Sequence, residues 1–287
     1  MGRVTRKHMV LRLGPEQALR RSDSLAVEEP LEVRLNGDAF VVTMRTPGDD
    51  IDLVHGLLHS EAVIADRSDL VTARYCDGVG PDGLNTYNVL DVTLAPGVAP
   101  PDPGARRNVL TTSACGVCGA TTIDTVMHES RHQLDHDVRF DQQVILSAPV
   151  RLREQQRAFD KTGGLHAAGL LTATGEMLVV REDVGRHNAV DKVVGWAIRE
   201  QRLPLSRAIL SVSGRASFEL TQKAVLAGIP ILVAVSAPSS LAVELAQEAG
   251  LTLVGFVRGD TMNVYTHPQR VIPAVSGVQT PDERSSA

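Results

Sequence analysis

The chain has 287 residues, with 29 lysines and arginines against 34 acidic residues, a formal net charge of −5, and 43% hydrophobic content. That length builds a sizeable core in one large domain or two modest ones, and the negative balance argues against a nucleic-acid binder. No apolar run reaches the roughly 18 residues of a membrane span, and three cysteines (Cys76, Cys115 and Cys118) are too few for a disulfide scaffold.

The opening "MGRVTRKHMVLRLG" is basic and lacks the apolar core of a signal peptide. Arg20 and Arg21 are followed by the acidic, polar "SDSLAVEEP", which does not fit a twin-arginine export signal. A cytoplasmic protein with a mobile N-terminal arm over residues 1–29 is therefore expected. "LEVRLNGDAFVVTMR" alternates around Asn36-Gly37, two residues that tolerate positive φ, and predicts a hairpin. "DDIDLVHGLLHSEAVI" puts acidic residues ahead of apolar ones at helical spacing and predicts a helix. "NTYNVLDVTL" predicts a strand, and the Pro/Gly-rich "APGVAPPDPGARR" cannot hold regular structure. It leads into "SACGVCGA", which is expected on a loop. Residues 30–139 thus read as a smaller β-rich part ending in the cysteine loop.

Residues 140–272 differ in character. "QVILSAPVRLREQQRAF" is predicted helical in its later part, and "LHAAGLLTATGEMLVVRED" as two strands around Thr174-Gly175. The helix "NAVDKVVGWAIREQ" follows. The apolar runs "RAILSVS", "IPILVAVS" and "LTLVGFV" then alternate with the helical stretches "FELTQKAVLAG" and "SLAVELAQEAG". Alternating buried strands and helices predict an α/β layer with largely parallel pairing. Residues 273–287 form a polar tail.

Several stretches carry chemistry. Cys115 and Cys118 form a Cys-x-x-Cys pair flanked by Gly116 and Gly119. Such a pair can hold a metal, exchange a disulfide or carry sulfur. Disulfide exchange expects a strand-to-helix junction, which the preceding linker does not supply, and a structural zinc site needs four ligands where one pair supplies two. "HESRH", His128 to His132, matches a zinc-protease pattern, but weak helical character and no evident third ligand favour a solvated polar turn. "REDVGRHNAVDK" crowds charge at a strand-to-helix junction and reads equally as a solvated run, a pocket wall or a subunit contact. "SVSGRASFE", "SAPSSLAVE" and "GFVRGDTMNVYTH" lie at successive strand ends. There free N–H groups of helix N-termini attract phosphate, and ligands of open sheets gather.

Together, "SACGVCGA", "GGLHAAGL", "REDVGRHNAVDK", "SGRASFEL", "SAPSSLAVELA" and "GFVRGDTMNVYTHPQR" resemble the FdhD/NarQ family of formate dehydrogenase accessory sulfurtransferases, from about Pro30 to Arg270. The resemblance implies a cytidine-deaminase-like α/β fold, a layered sheet with helices on its faces, and a homodimer. It implies a carrier that takes persulfide sulfur from a cysteine desulfurase onto Cys115, with Cys118 assisting or relaying. The sulfur passes to the molybdenum cofactor in its bis-(molybdopterin guanine dinucleotide) form, for formate dehydrogenase. The guanine end is expected at Phe256, Val257, Arg258, Gly259, Asp260 and Thr261, with GDP as its mimic; no resident metal, nucleic acid or membrane is expected. Zinc deaminases combine H-x-E with a later P-C-x-x-C. Here Ala168 follows His166 at the Glu position and the cysteines come earlier, so deamination is not implied. A nucleotide- or cofactor-binding chaperone and a zinc-bound Cys-x-x-Cys enzyme are the rival readings.

Overall fold

The computed structural model describes residues 4–76, 87–100, 110–111, 123–134 and 137–274. The chain opens with an antiparallel hairpin of β1 (Thr5–Leu13) and β2 (Ala18–Ala26). The stretch expected as a mobile arm therefore carries regular structure. Its basic charge hides a two-residue alternation of Met9, Leu11 and Leu13 that suits a strand. A second hairpin, β3 (Glu29–Leu35) and β4 (Asp38–Arg45), turns at Asn36 and Gly37, with φ of 52° and 90°. The expected turn is there because both residues accept the left-handed region. Helix α1 (Asp50–Ser60) follows, then β5 (Leu70–Tyr75), β6 (Val89–Leu94) and the short β7 (Leu110–Thr111). These strands form a five-stranded sheet in the order β5-β6-β3-β4-β7. Leu31, Val33, Leu90 and Val92 of the sheet pack on Leu53, Val54 and Leu58 of α1.

Helix α2 (Ile123–Glu129), strand β8 (Phe140–Asp141), helix α3 (Gln142–Glu154) and helix α4 (Arg157–Thr162) come next. Helix α3 departs from expectation: it is helical from its first residue, not only in its later part. The Asp141 side chain caps it by accepting from the Gln143 N–H at 2.7 Å. Pro149 sits inside the helix and removes one backbone hydrogen bond. Burial of Ile145, Leu146, Ala148 and Leu152 outweighs that loss.

The rest alternates as predicted: β9 (His166–Thr172), β10 (Met177–Asp183), α5 (Arg186–Arg199), β11 (Ala208–Val212), α6 (Phe218–Leu226), β12 (Ile231–Ala234), α7 (Ser240–Ala249), β13 (Thr252–Arg258), β14 (Thr261–Val264) and β15 (Val271–Ile272). Six of these strands form a sheet in the order β10-β9-β11-β12-β13-β14. Only β11, β12 and β13 are parallel; the flanking pairs are antiparallel. Parallel pairing is thus narrower than expected, because β9–β10 and β13–β14 are joined by short turns that can only reverse the chain.

Both faces of this sheet are covered. Leu210, Val212, Leu232 and Leu253 face α5, α6 and α7, whereas Ile209, Ile231, Val233 and Val254 face α3. Helix α1 then lies on α5. A Cβ on Gly56 would stand 1.9 Å from the Asp191 carbonyl oxygen, and one on Gly195 1.8 Å from that of Asp52. The two helices therefore touch backbone to backbone. The result is a mixed α/β fold with a layered sheet, helices on its faces and a second, N-terminal β-rich layer.

Candidate functional site

The topology gathers the chemistry at one edge of the six-stranded sheet. Strands β10, β11 and β12 all end there, each leading into the N-terminus of a helix, and β13 ends there in the turn to β14. Because β9 runs antiparallel to β11, its first residue, His166, is also at this edge. The junctions after β11, β12 and β13 are knitted together. The Ser239 N–H donates to the Ala216 carbonyl at 3.0 Å, and the Phe256 N–H to the Ser236 carbonyl at 3.3 Å. Gly255 permits the approach: a Cβ there would meet Pro238, the Ser236 carbonyl and the Tyr265 ring, each at 3.1 Å. The sequence expectation that three strand-end motifs share one place is therefore met.

The segment Phe256–Thr261 closes this edge. Phe256 adopts φ 52° and is 40% exposed, whereas Val257 is buried. Arg258, Gly259, Asp260 and Thr261 are exposed, with Gly259 at φ 58°. Thr261 Oγ1 donates to the Arg258 carbonyl at 3.1 Å and ties the turn. Arg258 and Asp260 form no ion pair with each other, so the guanidinium is not engaged by its nearest carboxylate. An exposed aromatic face, a guanidinium and a carboxylate within five residues suit a base and its phosphates.

Beside it stands a cluster the sequence reading did not assemble. His187 opens α5 and Glu219 lies in the first turn of α6, with His187 Nε2 3.6 Å from Glu219 Oε2 and 3.5 Å from Ser217 Oγ. His187 holds the Glu219 carboxyl down at about 2. The Ser217 hydroxyl does not cap α6, and no side chain caps α5. His166 faces this group across Gly214. Burial, then the charges of Arg186 and His187, lower its pKa and keep it neutral. Arg186 Nε is buried without a hydrogen-bond partner. His187 and Glu219 are 32 positions apart, so spacing hides them; the available signal was that each follows a strand-to-helix junction of the same edge.

"REDVGRHNAVDK" is not a solvated charge run. Asp183 and Lys192, both buried, pair at 2.8 Å. Asp183 also accepts from the N–H groups of Thr46 and Gly185 and from Asn188 Nδ2. Lys192 Nζ donates to the Thr46 carbonyl at 2.9 Å. Asp191 pairs with Lys223 at 2.7 Å, burial pushing its carboxyl upward. Asp183 and Lys192 lock the end of β4 onto the start of α5, and Asp191 with Lys223 ties α5 to α6, which leaves Arg186 and His187 at the edge.

Cys115 and Cys118 lie outside the described residues. Strand β7 runs parallel to β4, with Thr111 opposite Thr43, three residues before the Thr46 that binds Asp183. Helix α2 packs on α6 and α7. Within "HESRH", α2 ends at Glu129, so His132 lies beyond the helix and packs against Gly228. The two imidazoles share no helix face. Among the described residues no cluster of three His, Cys, Asp or Glu side chains could hold a metal ion, and no helix is long and apolar enough to cross a membrane.

The sequence pattern of the FdhD/NarQ family matches residues 26–272. The sulfur carrier protein FdhD of Nocardia farcinica is 59% identical over 280 residues, covering 97% of this chain and 99% of that protein. That of Streptomyces avermitilis is 55% identical, covering 97% and 100%. That of Saccharolobus solfataricus is 42% identical, covering 94% and 100%. A crystal structure of a putative formate dehydrogenase accessory protein from Desulfotalea psychrophila superposes with a TM-score of 0.73 at 23% identity, covering 94% of this chain and all of that one.

Proposed function

The chain belongs to the FdhD/NarQ family, and from that premise we propose that it is a sulfur carrier in the service of formate dehydrogenase. Cys115 receives sulfur from a cysteine desulfurase, and Cys118 assists or relays it. The thiolate of Cys115 attacks the outer sulfur of the desulfurase persulfide; the old S–S bond breaks, the desulfurase thiolate leaves, and the sulfur stays on Cys115 as a persulfide. The acceptor is the molybdenum cofactor as bis-(molybdopterin guanine dinucleotide), a cargo of the protein. Its guanine end is assigned to Phe256–Thr261 and its phosphates to the neighbouring helix N-termini, where N–H groups and dipoles favour anions.

The observation that carries this reading is the near end-to-end likeness to proteins named sulfur carriers, in a chain that holds a Gly-flanked cysteine pair. Reactive thiols need exposure and thiolate character, and glycine-flanked backbone lets a thiol reach a partner surface. The sheet edge supports the cofactor assignment: an exposed aromatic, an unengaged guanidinium and uncapped helix starts are side by side. The test is mass spectrometry after incubation with a cysteine desulfurase and cysteine. The expected result is one added sulfur atom on the peptide bearing Cys115, absent in Cys115→Ala. Wild type that gains no sulfur returns the protein to the chaperone reading, and stoichiometric bound zinc to the zinc-enzyme reading.

A further inference from the structure

We propose that the cavity at the start of α1 binds a free α-amino acid with an uncharged side chain, its carboxylate held by Arg45 and its ammonium by Glu29 and Asp49. The cavity has a volume of about 240 Å³ and is lined by residues 47–49, the first turn of α1, Glu29, Arg45, Tyr75, Tyr87 and Arg199. That is below the roughly 300–1,000 Å³ of pockets for drug-sized ligands, so its occupant is small. None of these residues belongs to the strand-end junctions of the six-stranded sheet, and the site stands whether or not the chain carries sulfur.

The buried Arg45 points to a ligand. Its side chain is 1% exposed. Its Nε and Nη2 donate to the two Asp50 oxygens at 3.1 and 3.0 Å, and Nη2 also to the Tyr87 carbonyl and Asn88 Oδ1. Its Nη1 is buried with no hydrogen-bond partner. Glu29 stands 3.6 Å from that nitrogen, near enough to balance charge and too far to accept. A buried donor left this way calls for an acceptor, and a carboxylate fits a guanidinium best. The start of α1 adds to the same end of the site. No side chain caps it, so its first N–H groups and its dipole favour an anion.

The surrounding charge excludes a simple anion. Among the described residues the carboxylates of Glu29, Asp49, Asp50 and Asp52 face the guanidiniums of Arg45, Arg181 and Arg199. The balance is negative. Asp50 is taken by Arg45, and Asp52 by Arg181 and Arg199. The side chains of Glu29 and Asp49 are 40% and 48% exposed and keep carboxylate surface open. They suit an ammonium, whereas no cluster of three metal-ligating side chains is found among the described residues. An anion alone would meet these carboxylates, and a cation alone would leave Nη1 unsatisfied. A zwitterion answers both. Ile51 and the Tyr75 and Tyr87 rings, which meet edge to face at 5.3 Å, offer apolar surface to its side chain.

Calorimetric titration of the full-length protein with L-alanine, L-leucine and L-methionine tests this. At least one is expected to bind with a Kd of about 1 mM or tighter. Its N-acetyl form, without the ammonium, and its amide, without the carboxylate, are each expected to bind about 10-fold more weakly or worse. Glu29→Gln is expected to weaken binding by about 10-fold, with an unchanged melting temperature because the side chain is exposed. Arg45→Lys, which keeps the charge and loses the fork, is expected to abolish it. Should that buried variant fail to fold, Glu29→Gln and the two blocked ligands still decide. Four results would overturn the proposal: no binding by any of the three amino acids, a blocked form that binds as tightly as its parent, acetate or inorganic phosphate binding as tightly as the amino acid, or a Glu29→Gln variant with wild-type affinity.

Discussion

Two cations of this molecule show how placement decides a residue's work. Lys192 is buried against Asp183 and two carbonyls, so its charge is spent on holding β4 to α5. Removing one partner of such a pair leaves an uncompensated charge. Arg258 is exposed at the end of β13 and unpaired with Asp260, so its charge remains for a ligand. A charge-assisted hydrogen bond is worth about 1.5–3 kcal/mol. Arg258→Ala is therefore expected to weaken GDP binding by about 10- to 150-fold, read by calorimetric titration, with little change in melting temperature. Equal affinities would remove Arg258 from the site, and a wild type that binds no GDP would remove the nucleotide assignment. The position of Arg258 was legible in sequence because an apolar strand ends there. The burial of Lys192 was not: Asp183 stands in the same motif, but Thr46 comes from the distant end of β4, and charge at a strand-to-helix junction looks alike whether solvated or locked.

At the scale of elements, the decisive contact is α1 on α5. Helix interiors disfavour glycine by about 1 kcal/mol, so Gly56 and Gly195 stand where a helical reading alone would not put them. The structure gives the reason, since each faces a carbonyl of the other helix within reach of any Cβ. Gly195→Ala is expected to destabilise by about 3 kcal/mol or more, since the obstacle is backbone and cannot rotate away; the urea midpoint of unfolding measures it. A loss below about 1 kcal/mol would show that the helices can part without cost. The sequence carried the signal, a glycine inside each of two apolar helical patterns. It could not say which helices meet, because 139 positions separate the pair. In β1 and β2 the alternation of Met9, Leu11 and Leu13 is visible in the sequence, but the basic residues between them resemble a solvated arm. Helix α3 is longer than the helix expected in the later part of this segment, because the Asp141 cap and the burial of Ile145, Leu146, Ala148 and Leu152 carry it from Gln142 through Pro149.

At the scale of the whole molecule, the histidines set the response to acid. Burial lowers the pKa values of His55, His59, His132 and His166, that of His59 to about 4. His59 also feels His132, Arg131 and Lys223. Each imidazole is neutral in the fold and protonates near its ordinary value of about 6.5 once unfolded. The unfolded chain therefore binds more protons over this window, and stability rises with pH there. The histidine contribution is complete above pH of about 6.5 and disappears as pH falls toward 4. For His59, buried at 7% exposure, the loss is on the order of 3 kcal/mol. Glu219, held at about 2 by His187, continues the decline below the ordinary carboxylate range. Asp191, raised by burial, acts in the opposite sense between its ordinary and folded values. The expected outcome is a melting temperature that falls steadily from pH 7 to pH 4.5, with net proton uptake on unfolding. Calorimetry in buffers of different ionisation enthalpy reads that uptake directly. His59→Gln is expected to lower the stability at pH 7 and flatten the slope. A slope equal to that of wild type would show that His59 titrates normally in the fold. The four rings come from α1, the stretch after α2 and the first residue of β9, so the acid response belongs to the assembled layers and to no single element.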